Sequence, residues 1–420
     1  MPTATERSAL PPHWILLTIL AGLGMVGPFS IDTMFPAFAQ MAVDLDTTPL
    51  ALQQLISVYL LSFAMMSLFH GPVSDAVGRK PVALIGVALF VLASLACALA
   101  PTLAWLLVGR ALQGLSAGAG QIISRAMVRD VFAGDRAQQV MSQIAMIFGL
   151  APALAPIVGG WLLAHGDWRL VFWFLTGLGI VLLVLVGLFL PETHPEQDRT
   201  PLRVRPLFGS LWSVWSDPDG RRLALTAMVN FAGMFLYISS APMFVVTLLG
   251  KGEQDFWVLF VPLISGMVIG SWASGRLAGR LSGRRLATIG YWISLLGGAA
   301  NLALMLVPAA RTLPWAVLLL PVYTFGVALA FPILTLAMLD LFPEKRGAAA
   351  SVQSFVGLVS NALIAGVLAP LVAFSLPALA ATALLLTLIG YLLWRRHLSV
   401  TALEPQVPPD PQNYEPMDEL

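Results

Sequence analysis

Apolar residues run along this chain in long blocks that short polar segments separate. Twelve blocks reach the length of about 20 residues that an α-helix needs to cross the hydrocarbon core of a bilayer. The two-residue alternation of a membrane β-barrel is not the pattern here. The predicted spans are residues 14–38, 51–70, 82–101, 103–126, 138–164, 169–190, 222–249, 256–280, 285–307, 313–338, 348–372 and 374–394. The pattern therefore predicts an all-α membrane protein with twelve transmembrane helices.

The longest interior polar stretch, residues 191–221, divides the spans into six plus six. The two halves echo each other. DVFAGDR at 130–136 resembles DLFPEKR at 340–346, and Gln143 and Gln353 keep the same offset of 210. Short arginine-rich loops could converge on such similarity, but the matching positions within each half favour duplication. We therefore predict two pseudo-symmetric six-helix bundles.

The predicted domain boundaries follow from this division. The first bundle takes residues 1–190, and the second takes residues 222–396. In the linker between them, Trp212 and Trp215 with nearby arginines suit a short helix at the membrane interface. Residues 397–420 are Pro-rich and acidic, which predicts a disordered tail.

Composition agrees with a membrane protein, because only 11% of the 420 residues are charged, against about 25% in soluble domains. The net charge of +1 gives no reason to expect a nucleic-acid partner. The single cysteine, Cys97, excludes an intrachain disulfide. The lipid bilayer is thus the partner that composition predicts, and we expect the chain to act as a monomer.

Lysine and arginine are unequally distributed between the two sides of the predicted spans. On the side of the chain termini there are 18, whereas the opposite side has three, Arg169, Lys251 and Arg311. Arg110 and Arg125 lie within span 4. Because basic residues accumulate on the cytoplasmic side, the sequence predicts that both termini lie in the cytoplasm.

Motifs for enzyme chemistry are weak. No phosphate-binding GxxxxGK[ST] loop occurs, and the five histidines lie at span ends or in loops. A G-x-S-x-G match at 114–118 falls within a span, where GLSAGAG is more typical of a small-residue packing seam than of a nucleophile elbow. We expect no enzyme activity, no metal and no other cofactor.

One acidic residue, Asp32, lies deep within a predicted span, where burying a carboxylate is costly. Arg110 of span 4 lies at nearly the same depth, because each residue is six or seven positions from the outer end of its span. We predict that the two are partners or share a wet cavity. This reasoning leaves both a structural ion pair and a functional site open.

Prolines and glycines interrupt two spans of the first half. Pro28 and Pro36 flank Asp32 in span 1. Span 5 contains a run of such residues, Pro152, Pro156, Gly159 and Gly160. Proline frees backbone carbonyls and permits bends, although membrane helices tolerate it widely. Two interrupted helices in one half favour a bending or cavity-lining role.

Span 7 carries Asn230, Met234 and Tyr237 on one face, at i, i+4 and i+7. Such a face suits one wall of an amphipathic cavity, because it is apolar and adaptable with a few hydrogen-bonding groups. It suits ordinary helix packing equally well.

Several motifs resemble a known family. The loop GPVSDAVGRKP at 71–81 resembles the signature between helices 2 and 3 of the major facilitator superfamily. SIDTMFPAF in span 1, RALQGLSAG at 110–118, SRAMVRDVF at 124–132 and LAPALAPIVGG in span 5 are similar to the Bcr/CflA branch of drug:H⁺ antiporters. The resemblance covers all twelve spans and implies a location in a bacterial inner membrane.

The resemblance implies roles for the matching positions. It implies a cluster that clamps the two bundles in the outward-open state, formed by Gly71, Asp75, Gly78, Arg79, Lys80 and Asp130. Arg79 would bridge Asp75 to Asp130, although arginine and lysine here could also merely anchor the topology. Arg110 and Gln113 match the helix-4 motif that is tied to proton coupling. The proline–glycine run of span 5 matches the antiporter motif.

Asp32 then becomes the expected proton carrier. Desolvation favours the protonated carboxyl group, whereas a nearby guanidinium favours the anion, so alternating access would change its protonation. The candidate residues of the substrate cavity are Asp32, Phe35, Gln113, Asn230, Met234 and Tyr237.

The expected function is proton-coupled export of small amphipathic compounds, such as chloramphenicol- or bicyclomycin-like drugs. A transporter of the same fold could instead carry a metabolite such as a nucleoside, sugar or amino-acid derivative, as an exporter or a proton symporter. A membrane enzyme or receptor is disfavoured, because the sequence shows no catalytic constellation and no sizeable soluble domain.

Overall fold

The computed structural model describes residues 12–132, 134–199, 202–277 and 280–403, and these form helices joined by short loops. The main helices of this part of the chain follow the order of the predicted spans. They are α1 (His13–Asp32), α2 (Gln54–Ser67), α3 (Arg79–Ala98), α4 (Leu103–Val131), α5 (Gly134–Leu163), α6 (Arg169–Phe189), α7 (Pro218–Ser239), α8 (Trp257–Leu277), α9 (Gly283–Leu306), α10 (Leu320–Leu341), α11 (Arg346–Leu363) and α12 (Leu376–Leu403).

Ten helical segments of the described residues are long and apolar enough to cross a membrane. The two main helices outside this group are α4 and α5, which have 29 and 30 residues. Arg110 and Arg125 lie in α4, and the apolar part of α5 is confined to Gly149–Leu163. Both helices are long enough to cross, and they occupy the fourth and fifth places.

Span 1 crosses as one apolar segment, Trp14–Asp44, and is interrupted near its prolines, as the sequence predicted. The first helix, α1, ends at Asp32, and a single 3₁₀ turn, Phe35–Ala37, precedes a short helix, Phe38–Asp44. Pro36 has no N–H group to donate to the carbonyl of Asp32 four residues before it. The α-helical pattern therefore stops at the acidic residue.

Two helices of the second half change their winding at the outer side, the side opposite the chain termini. The predicted span 222–249 ends as an α-helix at Ser239, and π-helical residues Met243–Leu248 follow. After α11, Ile364–Leu368 are π-helical before the chain reaches Pro370. Wide turns of this kind occur where the regular ladder of hydrogen bonds is interrupted.

Other observed boundaries also differ from the predicted ones. Residues 71–80, predicted as a loop, lie largely in a short helix, His70–Val77, which is called the motif helix below. The last helix continues to Leu403, past the predicted start of the tail at residue 397, and residues 404–420 lie outside the described part.

The linker contains the predicted short helix, Val204–Ser216, called the linker helix below. Leu211 and Val214 are buried in an apolar cluster of the second half, whereas Trp212 is 68% exposed. The next helix begins at Pro218, earlier than the predicted residue 222. The Asp217 carboxylate accepts the N–H groups of the first turn, which sets this start.

Small residues allow close packing within the first half. Helices α2 and α3 pack on α4, and Gly114 of α4 lies against the carbonyl oxygen of Tyr59. A Cβ atom at Gly120 would lie 2.6 Å from the carbonyl oxygen of Leu23. GLSAGAG is therefore a packing seam, as predicted. The two halves meet where α2 packs on α11 and α5 packs on α8.

Candidate functional site

Asp32 occupies the last position of α1 and is only 4% exposed. Its carboxylate makes no salt bridge and no hydrogen bond with any residue of the described ranges. Unpaired carboxylates are rarely buried, because removing the charge from water is costly. The break in the helix therefore presents an acidic group that is enclosed but not neutralised by a neighbour.

Arg110 lies in α4 and is completely buried. Its Nη1 donates to the carbonyl oxygen of Ser30 at 3.0 Å, to Ser30 Oγ at 2.9 Å and to Gln113 Oε1 at 2.6 Å. Its Nε donates to the Leu55 carbonyl oxygen at 3.3 Å, and the guanidinium lies 4.3 Å from the ring centroid of Tyr59. Carbonyl, hydroxyl and aromatic groups thus hold this cation in place of an anion.

The predicted depth match is confirmed, because Arg110 contacts Ser30, two residues before Asp32. A direct ion pair between Arg110 and Asp32, one of the two predicted alternatives, is absent from the described contacts of this conformation. Arg110 Nη1 and Nε instead donate to Ser30, Gln113 and the Leu55 carbonyl oxygen. Arg110 Nη2 is buried without a hydrogen-bond partner in this structure.

Gln113 belongs to the same buried network rather than to an open cavity wall. Its Oε1 accepts from Arg110, and its Nε2 donates to Ser94 Oγ at 2.8 Å. With both ends of the amide engaged, Gln113 fixes the guanidinium between α3 and α4. Ser30, Tyr59 and Ser94 were not singled out from the sequence, because isolated hydroxyl groups in apolar runs carry no distinctive pattern.

Phe35 lies at the junction of the two halves. Its side chain is fully buried, and its ring stacks on Phe260 of α8 with 6.1 Å between centroids. Both residues lie near the outer ends of their helices. In this conformation Phe35 therefore contributes to an outer seal.

Asn230, Met234 and Tyr237 point into the second bundle and are at most 3% exposed. Asn230 Nδ2 donates to the Val327 carbonyl oxygen at 3.1 Å, and Tyr237 accepts from Asn301 Nδ2 at 2.9 Å. Of the two readings left open, helix packing is the one that these contacts support. Their role in a substrate cavity receives no support from this conformation.

The glycines of α5 permit two close approaches at the outer side. A Cβ atom at Gly159 would collide with the carbonyl oxygen of Thr33, the residue after Asp32. A Cβ atom at Gly160 would lie 2.6 Å from the carbonyl oxygen of Glu253, in the loop before α8. A surface cavity of about 520 Å³ lies beside this second contact. Pro152 and Pro156 lie inside α5, which nevertheless remains helical.

The predicted clamp residues lie at the inner side and are called the inner cluster below; they contain the predicted arginine bridge. Arg79 Nη1 lies 2.5 Å from Asp75 Oδ1, and Arg79 Nε lies 3.1 Å from Asp130 Oδ2. Arg79 is 8% exposed and also donates to Ser74 Oγ. Gly71 supports the motif helix through its carbonyl oxygen, which accepts from Ser74 Oγ at 2.8 Å. The bridge joins the motif helix to the inner end of α4.

Glu192 and Thr193, at the start of the linker, complete this cluster, and sequence reasoning missed them. The Glu192 carboxylate accepts the N–H groups of Arg79 at 2.9 Å and Lys80 at 3.2 Å, and so caps α3. Thr193 Oγ1 donates to Asp130 Oδ2 at 2.9 Å. An acidic residue two positions after the end of span 6 is visible in the sequence, but nothing there indicates which helix its carboxylate contacts.

Gly78 makes room for this cap. Its φ of +111° lies in the region that favours glycine, and a Cβ atom there would lie 2.5 Å from Glu192 Oε2. Lys80 Nζ donates to the Gly187 carbonyl oxygen at 3.0 Å at the end of α6. The inner cluster therefore ties α3, α4, α6 and the linker together.

Comparison with known proteins agrees with this arrangement. The model of the Major Facilitator Superfamily matches residues 17–365, which is most of the chain. The chain belongs to the major facilitator superfamily. It is accordingly a multi-pass membrane transporter and not an enzyme, as the sequence predicted.

Curated relatives confirm the resemblance to the branch of drug:H⁺ antiporters. The chain is 31% identical to Multidrug resistance protein D of Escherichia coli (strain K12) over 90% of its own length and 93% of the relative. It is 29% identical to the Bicyclomycin resistance protein homolog of Haemophilus influenzae over 68% of its length and 72% of the relative.

A solved structure shares the fold. It is a bacterial homologue of the human lysosomal transporter Spinster, in an inward-facing and unoccupied conformation. The TM-score is 0.71 at 17% identity, covering 95% of this chain and 99% of the other. The twelve-helix fold of the superfamily thus accounts for α4 and α5 as membrane helices.

Proposed function

We propose that this protein exports small amphipathic compounds across a bacterial inner membrane in exchange for protons, with Asp32 as the proton carrier. The observation that carries the proposal is the enclosed and unpaired carboxylate of Asp32 beside a buried guanidinium that is held by neutral groups. Acidic groups in membrane helices are rare and mark proton or substrate pathways.

The arrangement offers two states for this carboxyl group. In the present conformation Asp32 has no cationic partner in the described structure, so a bound proton removes the cost of an enclosed anion. A conformational change that turns the Asp32 carboxylate toward Arg110 would allow an ion pair to form, since Arg110 Nη2 has no hydrogen-bond partner here. The ion pair would then replace the proton, and alternation between the two states couples proton release to a change in shape.

The names of the relatives support drug-like substrates. Proteins named for multidrug and bicyclomycin resistance are similar to this chain over most of its length. We therefore propose bicyclomycin-like or chloramphenicol-like compounds as the first substrates to test. A metabolite of similar size and polarity would require the same coupling.

The test is transport in inverted vesicles with an imposed pH gradient. Addition of a substrate should partly collapse the gradient with the natural protein and leave it intact with Asp32→Asn. Asp46→Asn is the matched control, because Asp46 is exposed and has a φ of +45°, a conformation that asparagine also accepts.

The outcomes separate the parts of the proposal. If Asp32→Asn couples as well as the natural protein, Asp32 is not the carrier. If no drug in a susceptibility panel collapses the gradient but a nucleoside or sugar does, the substrate class is wrong while the proton role stands.

We further propose that both termini are cytoplasmic and that the protein acts as a monomer. The excess of basic residues on the side of the termini supports the orientation. Membrane-impermeant thiol reagents on intact cells should label a cysteine at Leu50 but not one at Val77, because the two exposed positions lie on opposite sides. Light scattering of the purified protein would test the oligomeric state.

A further inference from the structure

Three side chains at the outer start of α2 reach across to the second half. Gln53 Nε2 donates to the Ser239 carbonyl oxygen at 3.1 Å. One residue later, Gln54 Nε2 donates to the Gly366 carbonyl oxygen at 2.9 Å. Ser57 Oγ donates to the Ala362 carbonyl oxygen at 2.8 Å. These bonds join α2 to α7 and to α11.

Interrupted helices make these carbonyl groups available. In a regular helix the Gly366 carbonyl would accept the N–H group of residue 370, but Pro370 has none. Ser239 is the last residue of α7, so its carbonyl lacks the intrahelical partner of an interior residue. The π-helical residues Ile364–Leu368 begin two positions after Ala362, so its carbonyl also lies where the winding of the helix changes. The first half thus donates to main-chain carbonyls at places where helices of the second half are interrupted.

The contact is also tight. A Cβ atom at Gly366 would lie 2.6 Å from Ser57 Oγ and 3.2 Å from Gln54 Oε1. Glycine therefore sets the distance at which the two helices meet. A larger residue would separate α11 from α2.

The inner side shows a different arrangement. Arg79 bonds to Ser74, Asp75 and Asp130, which all belong to the first half, and the Asp75 side chain remains 43% exposed. The hydrogen bonds between the halves that are described above lie at the outer side. The conformation is therefore closed outside, and opening it outward requires breaking them.

We propose that Gln53, Gln54 and Ser57 form an outer latch that holds the transporter closed at the outer side and sets the balance between its two access states. The proposal rests on alternating access but not on any substrate. Each hydrogen bond removed should shift the ratio of outer-open to outer-closed molecules about 2- to 10-fold. The energy is small enough for the latch to open in every cycle.

The test measures distances by electron–electron double resonance in proteoliposomes. Spin labels at Leu50 and Phe374 report the outer side, and labels at Val77 and Leu341 report the inner side, since all four residues are exposed. The only cysteine of the chain, Cys97, is buried and adds little background. The distances report the balance between the access states even if the protein transports no drug. The latch and the proposed function can therefore fail separately.

Two independent perturbations are compared. The triple variant Gln53→Leu, Gln54→Leu, Ser57→Ala should enlarge the outer-open population about tenfold or more, lengthening the outer distance and shortening the inner one. Ser62→Ala is its control, because Ser62 faces Gly114 within the first half. Gly366→Ala should act in the same direction, whereas Gly357→Ala on the same helix meets open space.

Unchanged distance distributions in both Gly366→Ala and the triple variant would overturn the proposal. If the triple variant does not fold, Gly366→Ala decides alone, because it keeps all three donors. A shift with the control variants as large as that with the latch variants would also contradict it.

Discussion

Gly159 of α5 lies directly against the carbonyl oxygen of Thr33, the residue that follows Asp32. The two helices can approach this closely only because no side chain stands between them. Gly159 therefore allows α5 to pack directly against the main chain where α1 is interrupted. It gives a physical reason for one position of the proline–glycine run in span 5.

Gly159→Ala should destabilise the protein and reduce transport. The added methyl group must displace the main chain at Thr33, and overpacking of this kind costs about 1–3 kcal/mol. The melting temperature in detergent and the gradient-driven transport rate should both fall. Gly177→Ala is the control, since nothing lies within 4 Å of a Cβ atom there. Equal stability of the two variants would show that α5 yields at Gly159.

Arg110→Lys should abolish most of the coupled transport while keeping the charge. A lysine cannot reach Ser30, Gln113 and the Leu55 carbonyl together, and it loses the planar contact with Tyr59. We expect at least about a tenfold loss of rate, since bonds to a charged group contribute about 1.5–3 kcal/mol each.

The matched control for this change is Arg169→Lys. Arg169 also lies 4.3 Å from an aromatic ring, that of Trp168, but its side chain is 34% exposed. Its replacement should cost little. Full activity of a folded Arg110→Lys protein would mean that the geometry of the guanidinium is unimportant.

Glu192→Ala should weaken the inner cluster. The variant removes the cap of Arg79 and Lys80 and the negative charge at the start of α3, at a cost of about 0.5–1 kcal/mol. Thermal unfolding in detergent should show a midpoint lower by about 1–3 °C. Glu196→Ala should show no change, because the Glu196 side chain is 90% exposed. Identical midpoints for the two variants would remove the structural role of Glu192.

His70 predicts a pH dependence of stability. Burial lowers the pKa of this imidazole from about 6.5 to about 4, against the opposing effect of the Leu115 backbone. Because the unfolded chain binds the proton more readily, the stabilisation is complete above about pH 6.5 and is lost as the pH falls through about 4.

Melting curves at pH 7.5 and pH 5 provide the measurement. His70→Gln should show a smaller loss of midpoint on acidification than the natural protein does. His165→Gln is the control, since His165 is exposed. A variant with the natural pH slope would show that other groups cause it.

Apolar block length was a reliable guide to the fold, because lipid requires every spanning segment to satisfy its own backbone. The order of the helices, the packing seam at Gly114 and Gly120, and the bridge from Arg79 to Asp130 were all predictable. The helix order and the packing seam depend on local spacing, whereas the bridge joins residues 51 positions apart and was implied by the family resemblance.

Contacts between distant segments were harder to predict. Prolines indicated that helices would be interrupted, but not that Gln54 would reach the carbonyl beside Pro370, some 300 residues away. Depth alone placed Asp32 and Arg110 at one level, yet depth does not determine which way a side chain turns. The hydroxyl of Ser30 therefore holds the position that a carboxylate was expected to take.

The proline at 370 also has an evolutionary consequence. A helix with an N–H group at that position would satisfy the Gly366 carbonyl by itself. The side chain of Gln54 would then no longer be needed as its hydrogen-bond donor. Conversely, a chain that keeps the proline and loses the glutamine leaves a poorly solvated acceptor. Among relatives of this transporter, positions 54 and 370 should therefore change together, and an alignment would show them as a covarying pair across the two halves.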